Sequence, residues 1–350
     1  MEKDSDHTKK FSSVTSQEWE DKIRSELKSK IVLYQYLNTP LKPFYNSLDI
    51  EALVDGKDYH RYLTAKSQGT IVDYLNFCDY KTTNSEINES MEGGAGAVHL
   101  SMPVGGIDLA QLESLCPLFI NVEAPSIVVF NIDHYPSPVT LIFTAELFLN
   151  HVSFQSEILE LLKKASIQVS IKSSGNLEDE RELANLLDAY QLLFVKTKEE
   201  GLSTNEYIEK IGFSIPLRKN FFQTIARIRS LKALAKGLLG LHNHLEELDV
   251  KVHCFNSQDS STNDPYGQFI SMSYQAMSSI IGGASSITLV PKEYDGYDYA
   301  FFKSISRNIL NVLQFESGLQ NFIDSSGGSY YIESLTEIIC QRTWECFCEN

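Results

Sequence analysis

The chain has 350 residues, 43% of them hydrophobic and 11% aromatic, enough to fill the core of one large domain or two medium ones. Its 46 acidic against 30 basic side chains leave a formal charge of −16, and a surface of that sign repels phosphate backbones and anionic headgroups, which argues against nucleic acid and membrane surfaces as partners. No apolar run approaches the roughly 20 residues that cross a bilayer, and the start, MEKDSDHTKK, lacks the apolar stretch of a signal peptide, so the chain reads as cytoplasmic with its six scattered cysteines as free thiols.

Residues 15–30 predict an amphipathic helix, with Ser16 able to cap it and Trp19, Ile23 and Leu27 on one face. The segment from Leu41 to Tyr45 is extended, because Pro40 and Pro43 restrict the residues before them. From residue 69 onward, short β-branched apolar runs alternate with longer helical patterns. Candidate strands cover 70–75, 97–102, 118–122, 126–132, 167–172, 211–217, 250–255 and 286–290. Helical patterns cover 108–115, 138–162 (as two helices), 179–197, 221–242 and 266–281.

This alternation means parallel strands with helical crossovers, and eight such units predict a (β/α)8 barrel of the TIM type. Residues 118–132 hold two strands with no room for a helix between them, so the barrel is abbreviated in its middle units. The predicted organisation is an N-terminal helical and extended arm over 1–68, for subunit contact, and a barrel over 69–350. An open doubly wound sheet is the alternative.

Most chemical signatures are missing. There is no P-loop and no G-x-G-x-x-G; Gly93-Gly94-Ala95-Gly96 precedes a strand, where a phosphate cradle has to follow one, and reads as a helix-to-strand turn. His242-x-His244 and Cys346-x-Cys348 are the close ligand pairs, and residues two apart on a helix point in different directions. Polar density is highest from His253 to Asp259, at the C-terminal end of a strand, where barrel sites are built. Next to it Asp264 can simply cap a helix starting at Pro265. A second cluster, Leu313 to Gly318, ends a helix; a left-handed cap accounts for Gly318 but not for Glu316.

One succession of residues carries more. His253-Cys254, Asp264-Pro265-Tyr266, Gln275-Ala276-Met277, Ile281-Gly282-Gly283-Ala284-Ser285-Ser286, Ser306-Arg307-Asn308, Glu316-Ser317-Gly318 and Gly328-Ser329-Tyr330-Tyr331 resemble, in order and spacing, the end of the barrel domain of methylmalonyl-CoA mutases. Asn220-Phe221-Phe222 with Arg227 and Arg229 resembles the family's preceding helix, and the Trp19 helix and Pro43-Phe44-Tyr45 fit more weakly. The stretch from about 100 to 200 matches poorly.

The resemblance implies a barrel that threads acyl-CoA along its axis, a separate cobalamin-binding domain, and a radical rearrangement of methylmalonyl-CoA to succinyl-CoA started by adenosylcobalamin. It also implies that many bacterial members pair a catalytic large subunit with a small subunit that has lost its site. The departures here are of that second kind. The cobalt-ligand signature D-x-H-x-x-G has only a near miss at Asp58-Tyr59-His60, at the wrong end and without the glycine. The catalytic S-G-Y-H corresponds to Ser173-Ser174-Gly175-Asn176, without its histidine, and R-T-H-C-Q becomes Lys251-Val252-His253-Cys254-Phe255.

The expectation is therefore a non-catalytic small subunit with no cobalamin domain and no cofactor of its own. Adenosylcobalamin would act in the assembled enzyme, with the catalytic large subunit as partner. No catalytic residue is expected; Lys251, His253, Asn256 and Glu316 would form a vestigial pocket. The alternatives are a barrel that still binds acyl-CoA and works with a cobalamin domain from another chain, and a stand-alone binding barrel.

Overall fold

The computed structural model describes residues 14–26, 35–36, 39–42, 44–51, 70–75, 80–101, 106–113, 116–123, 129–130, 135–173, 175, 179–201, 203, 206, 209–241, 249–256 and 264–349. It divides into two compact units, Met1–Tyr45 and Asn46–Asn350. The expected boundary at residue 68, the Asp58–His60 near miss, Asn176 and the His242-x-His244 pair lie outside the described residues.

In the first unit, helix α1 (Ser16–Glu26) is started by Thr15 and not by Ser16. Thr15 Oγ1 accepts the Glu18 amide (3.2 Å) while the Glu18 carboxylate accepts the Thr15 amide (2.8 Å), a reciprocal box that satisfies two otherwise orphaned donors. Trp19 meets Phe44 at a ring separation of 5.0 Å, which ties the helix face to the extended segment.

The second unit opens with the short helix α2 (Ser47–Glu51) and is built on a closed barrel of eight parallel strands. They are β1 (Thr70–Leu75), β2 (Ala97–Leu100), β3 (Leu118–Asn121), β4 (Val139–Thr144), β5 (Ile167–Lys172), β6 (Ile211–Leu217), β7 (Lys251–Asn256) and β8 (Ser286–Thr288). Each pairs with its neighbour in sequence, and β8 closes on β1 through Ser286–Thr70, Ile287–Ile71 and Thr288–Val72. Closure leaves no sheet edge exposed.

Strand β4 corrects the reading of 138–162 as two helices: Val-Thr-Leu-Ile-Phe-Thr is a mostly β-branched and aromatic run buried on both faces, and helices α4 (Ala145–Asn150) and α5 (Val152–Leu162) follow only after it. Of the strand expected over 126–132, the described pair Val129–Phe130 lies outside the barrel and pairs with Ile107–Asp108 in a small sheet of its own. Eight strands were expected, and one of the eight was assigned to the wrong segment. The connection after β2 has a 3-10 turn at Leu109–Gln111 where helix 108–115 was expected.

The remaining helices, α3 (Tyr80–Glu92), α6 (Asp179–Glu199), α7 (Phe221–Leu241), α8 (Gly267–Ile281), α9 (Tyr299–Asn311) and α10 (Tyr330–Glu349), follow the apolar periodicity. Helix α8 starts at Gly267 rather than Pro265, and Asp264 accepts the Tyr266 amide (3.0 Å) in the turn before it. No described helix is long and apolar enough to cross a membrane.

Ion pairs bolt helices to wall and to each other. Asp73 on β1 receives Arg307 of α9 and the Ser90 hydroxyl of α3, each at 2.8 Å. Arg227 of α7 reaches Glu182 of α6 at 3.0 Å, and Arg229 reaches Glu333 of α10 at 2.7 Å and also Asp324. With Arg227 and Arg229 almost fully buried, these carboxylates are required counter-charges.

Candidate functional site on the barrel axis

Strand alternation decides which side chains meet the axis. Ile71, Leu141, Phe143, Ile171, Phe213 and Ile287 are buried, Phe143 stacking on Phe148 of α4 and Phe213 meeting Tyr190 of α6, so these positions turn outward to the helices. The other register sends in Thr70, His99, Phe119, Asn121, Thr140, Gln168, Ser170, Lys172, Ser214, His253, Ser286 and Thr288, together with the apolar Ala97, Ile142 and Phe255. An axis this rich in hydroxyl, amide and ionisable groups contrasts with the branched apolar layers that ordinarily fill such barrels.

Those groups leave two cavities on the axis. One, of about 230 Å³, lies at the N-terminal ends of the strands and is bounded by Thr70, Ala97, Phe119, Ser170, Lys251 and His253 among others. The second, of about 160 Å³, lies at the C-terminal ends and is bounded by Tyr74, His99, Asn121, Lys172, Phe255 and Asn256 with Ile142, Thr288 and Val290. Rings stand between them: Phe119 and His253 have centroids 4.9 Å apart, and His253 and His99 are 6.0 Å apart, edge to face.

His253 is held on both nitrogens, Nδ1 against Ser286 Oγ (2.8 Å) and Nε2 against Thr288 Oγ1 (3.3 Å). Enclosure pushes its protonation well below the ordinary range, and the neighbouring His99 and Lys172 add to that. His99 is 6% exposed, and burial lowers its pKa to about 4. The Asn121 carboxamide lies close enough to favour its protonated form slightly, yet neither ring nitrogen nor Asn121 Oδ1 has a partner within hydrogen-bond geometry. Burial likewise lowers the pKa of Lys172, whose Nζ sits 5.0 Å above the Phe255 ring.

The four residues expected to share a pocket are divided. Lys251 and His253 bound the N-terminal cavity, where the Lys251 ammonium donates to the Glu209 carbonyl. Asn256 bounds the C-terminal one and pins β7 to the chain after β8, its Nδ2 donating to Val290 O (2.8 Å) and its Oδ1 accepting Val290 N (2.7 Å). Glu316 bounds neither. It is exposed in a π-helical turn, Val312–Glu316, that continues α9, and Asn311 just before it binds the Gly93 carbonyl (3.0 Å) ahead of β2, so Glu316 belongs to the N-terminal end.

The sequence reading missed His99, Asn121 and Lys172. Their signal was available: each is a polar residue that alternates with buried apolar ones along its strand, as in Val98-His99-Leu100 and Ile171-Lys172.

Compared with known proteins, the family profile described as methylmalonyl-CoA mutase matches residues 135–349, more than half of the chain. A methylmalonyl-CoA mutase of Rhizobium meliloti (strain 1021) is 28% identical over 154 residues, 41% of this chain and 21% of that protein. A methylmalonyl-CoA mutase small subunit of Propionibacterium freudenreichii subsp. shermanii is 28% identical over 193 residues, 53% of this chain and 30% of that one. The chain thus spans less than a third of the length of either relative. Among solved structures, a dihydropteroate synthase of Yersinia pestis is similar over 71% of this chain and 93% of that one, at 12% identity and a TM-score of 0.42.

Proposed function

Because the chain belongs to the methylmalonyl-CoA mutase family, we propose that it is the non-catalytic small subunit of such a mutase, binding and stabilising a catalytic large subunit that interconverts methylmalonyl-CoA and succinyl-CoA. The observation that carries this reading is the ring layer of His99, Phe119 and His253 across the axis. A pantetheine chain threading the barrel would have to displace it. His253, the histidine retained from the catalytic pattern, has both nitrogens engaged by hydroxyls and is held neutral, so it offers no proton to a substrate carbonyl. Phe255 stands where the pattern has glutamine, and Lys251, where it has arginine, is turned to a backbone carbonyl at the N-terminal mouth.

Adenosylcobalamin supplies the radical in this family, and its cobalt takes a histidine as lower ligand. The two histidines of the barrel wall are enclosed, 6% and 3% exposed, and neither is open to a cobalt ion. We assign the cofactor to the partner chain.

Co-expression with the large subunit tests the assignment: the two chains should co-elute at micromolar concentration, and His253→Ala should leave turnover of the assembled enzyme intact. Separate elution overturns the partner. Saturable binding of adenosylcobalamin by this chain alone, or loss of turnover on His253→Ala with assembly preserved, overturns the non-catalytic role. A second reading, a barrel that still binds acyl-CoA, is favoured by the hydroxyl-lined axis. Saturable binding of methylmalonyl-CoA to the isolated chain would select it.

A further inference from the structure

Away from the axis, the first turns of α8 and α9 and the loop that leads into α9 expose a group of large apolar side chains. Tyr266, Ile270, Tyr297 and Phe301 are between 45% and 74% exposed. Scattered apolar residues on a surface need no explanation, but these adjoin one another. The Tyr266 and Tyr297 rings meet at 6.0 Å and 78°, and Tyr294 meets Tyr297 at 6.4 Å and 70°. Beneath them the buried Phe302 ring lies 5.7 to 6.2 Å from Tyr297, Phe301, Tyr266 and Tyr294. The loop itself is pinned: the Lys292 amide donates to Gln268 Oε1 of α8 (2.9 Å), the Tyr297 amide donates to the Tyr294 carbonyl (3.2 Å), and Asp298 accepts the Ala300 amide (3.0 Å) at the start of α9. Rings supported in this way have little freedom left to lose on binding.

The charge around them is of one sign. Over residues 264–302 the charged side chains are Asp264, Glu293, Asp295 and Asp298 against a single base, Lys292. All four acids are exposed, and each lies within two residues of one of these tyrosines. The phenol of Tyr299 is pushed up to about 12, by burial first and then by Glu293 and the other acidic groups near it. The Lys292 ammonium stands 5.4 Å above the Tyr294 ring, so one face of the group already carries a cation.

We propose that this patch docks an arginine-bearing segment of a partner protein. A guanidinium stacks on tyrosine faces, takes a carboxylate through two parallel hydrogen bonds, and sheds water more readily than an ammonium. Ile270 and Phe301 would cover an apolar side chain beside the arginine. Charge complementarity selects this occupant: a second copy of the chain brings another −16 of charge, and a nucleic acid or anionic surface is repelled.

The test is fluorescence anisotropy of a labelled peptide of repeated Arg-Leu-Gly units titrated with the full chain, at about 0.15 M salt, where exposed charges are screened beyond roughly 8 Å. Peptides with lysine or with citrulline, the uncharged isostere, in place of arginine are separate arms. The arginine peptide should bind saturably, the lysine peptide about threefold more weakly, and the citrulline peptide not at all. Tyr297→Ser, which leaves every charge in place, should weaken binding about tenfold, whereas Phe315→Ser, at an exposed ring elsewhere, should leave it unchanged. No saturable binding of the arginine peptide overturns the proposal. Equal binding of the lysine or citrulline peptide, undiminished binding by a folded Tyr297→Ser chain, or an equal loss on Phe315→Ser overturns it too. So does a dimer of the chain, seen by sedimentation, that Tyr297→Ser dissociates, since the occupant is then a second copy. The peptide arms use the unaltered chain and decide even if a variant fails to fold. Peptide binding by a chain that never assembles with the large subunit leaves this site standing, and assembly without peptide binding sinks it alone.

Discussion

At the scale of single residues, the inner and outer faces of the barrel wall use charge oppositely. Outside, every deeply buried arginine has a carboxylate: Arg307 with Asp73, Arg227 with Glu182, Arg229 with Glu333 and Asp324. Removing one partner leaves the other buried and unpaired, so Arg229→Ala is expected to lower stability by about 3–5 kcal/mol. Urea unfolding measures this; a loss below 1 kcal/mol, about the worth of a surface pair, would contradict the structural role. Inside, burial disfavours the protonated form of both histidines. His99 is lowered from 6.5 to about 4 in the fold, so between these values the unfolded chain takes up protons that the barrel refuses. Its contribution is unperturbed above about pH 6.5 and stability falls as pH drops toward 4, by about 1.4 kcal/mol for each pKa unit traversed. His99→Gln should therefore lose less stability than the parent between about pH 7.5 and about pH 5. Parallel urea midpoints for the two proteins across that range would refute it. Of these residues, Arg227, Arg229 and Arg307 stood in the stretches that carried the family resemblance. Their ion-pair partners were not legible, since Asp73 and Arg307 lie 234 residues apart.

At the scale of elements, period and propensity sufficed where one face of a helix is apolar and failed where burial is two-sided. Helices α6, α7 and α8 were read to within a few residues. Val139 to Thr144 was not, because a run buried on both faces has no clear period to separate strand from helix, and its length had to arbitrate. Strand pairing also explains a glycine that the sequence left without meaning. A Cβ at Gly212 on β6 would stand 2.7 Å from the carbonyl oxygen of Lys251 on β7, a backbone atom that cannot swing away. Gly212→Ala should force these strands apart at the N-terminal mouth and lower stability by about 1–3 kcal/mol. Hydrogen exchange at the amides pairing β6 with β7 would register the change there first, and protection unaltered at those amides would count against it.

At the scale of the whole molecule, the question is whether the barrel is one channel or two chambers. Phe119 is the apolar member of the ring layer, and Phe119→Ala should join the two cavities. If the rings are what bars a pantetheine chain, that variant should gain saturable binding of methylmalonyl-CoA that the parent lacks, as read by equilibrium dialysis. A folded Phe119→Ala chain with no such gain would place the barrier elsewhere.

The architecture was legible in the chain itself, because alternating β-branched runs and amphipathic helices have few parallel packings and a closed ring of eight is one that leaves no edge. Family membership was legible too, in a long ordered succession of motifs. The axis was decided only by closure. Whether His253, Lys251 and Asn256 share a pocket depends on how far along one strand each sits, and residues at its two ends face different cavities. His99 and Lys172 become neighbours only when β2 and β5 curve round to face one lumen, a juxtaposition that strand order and tilt create and local sequence does not encode.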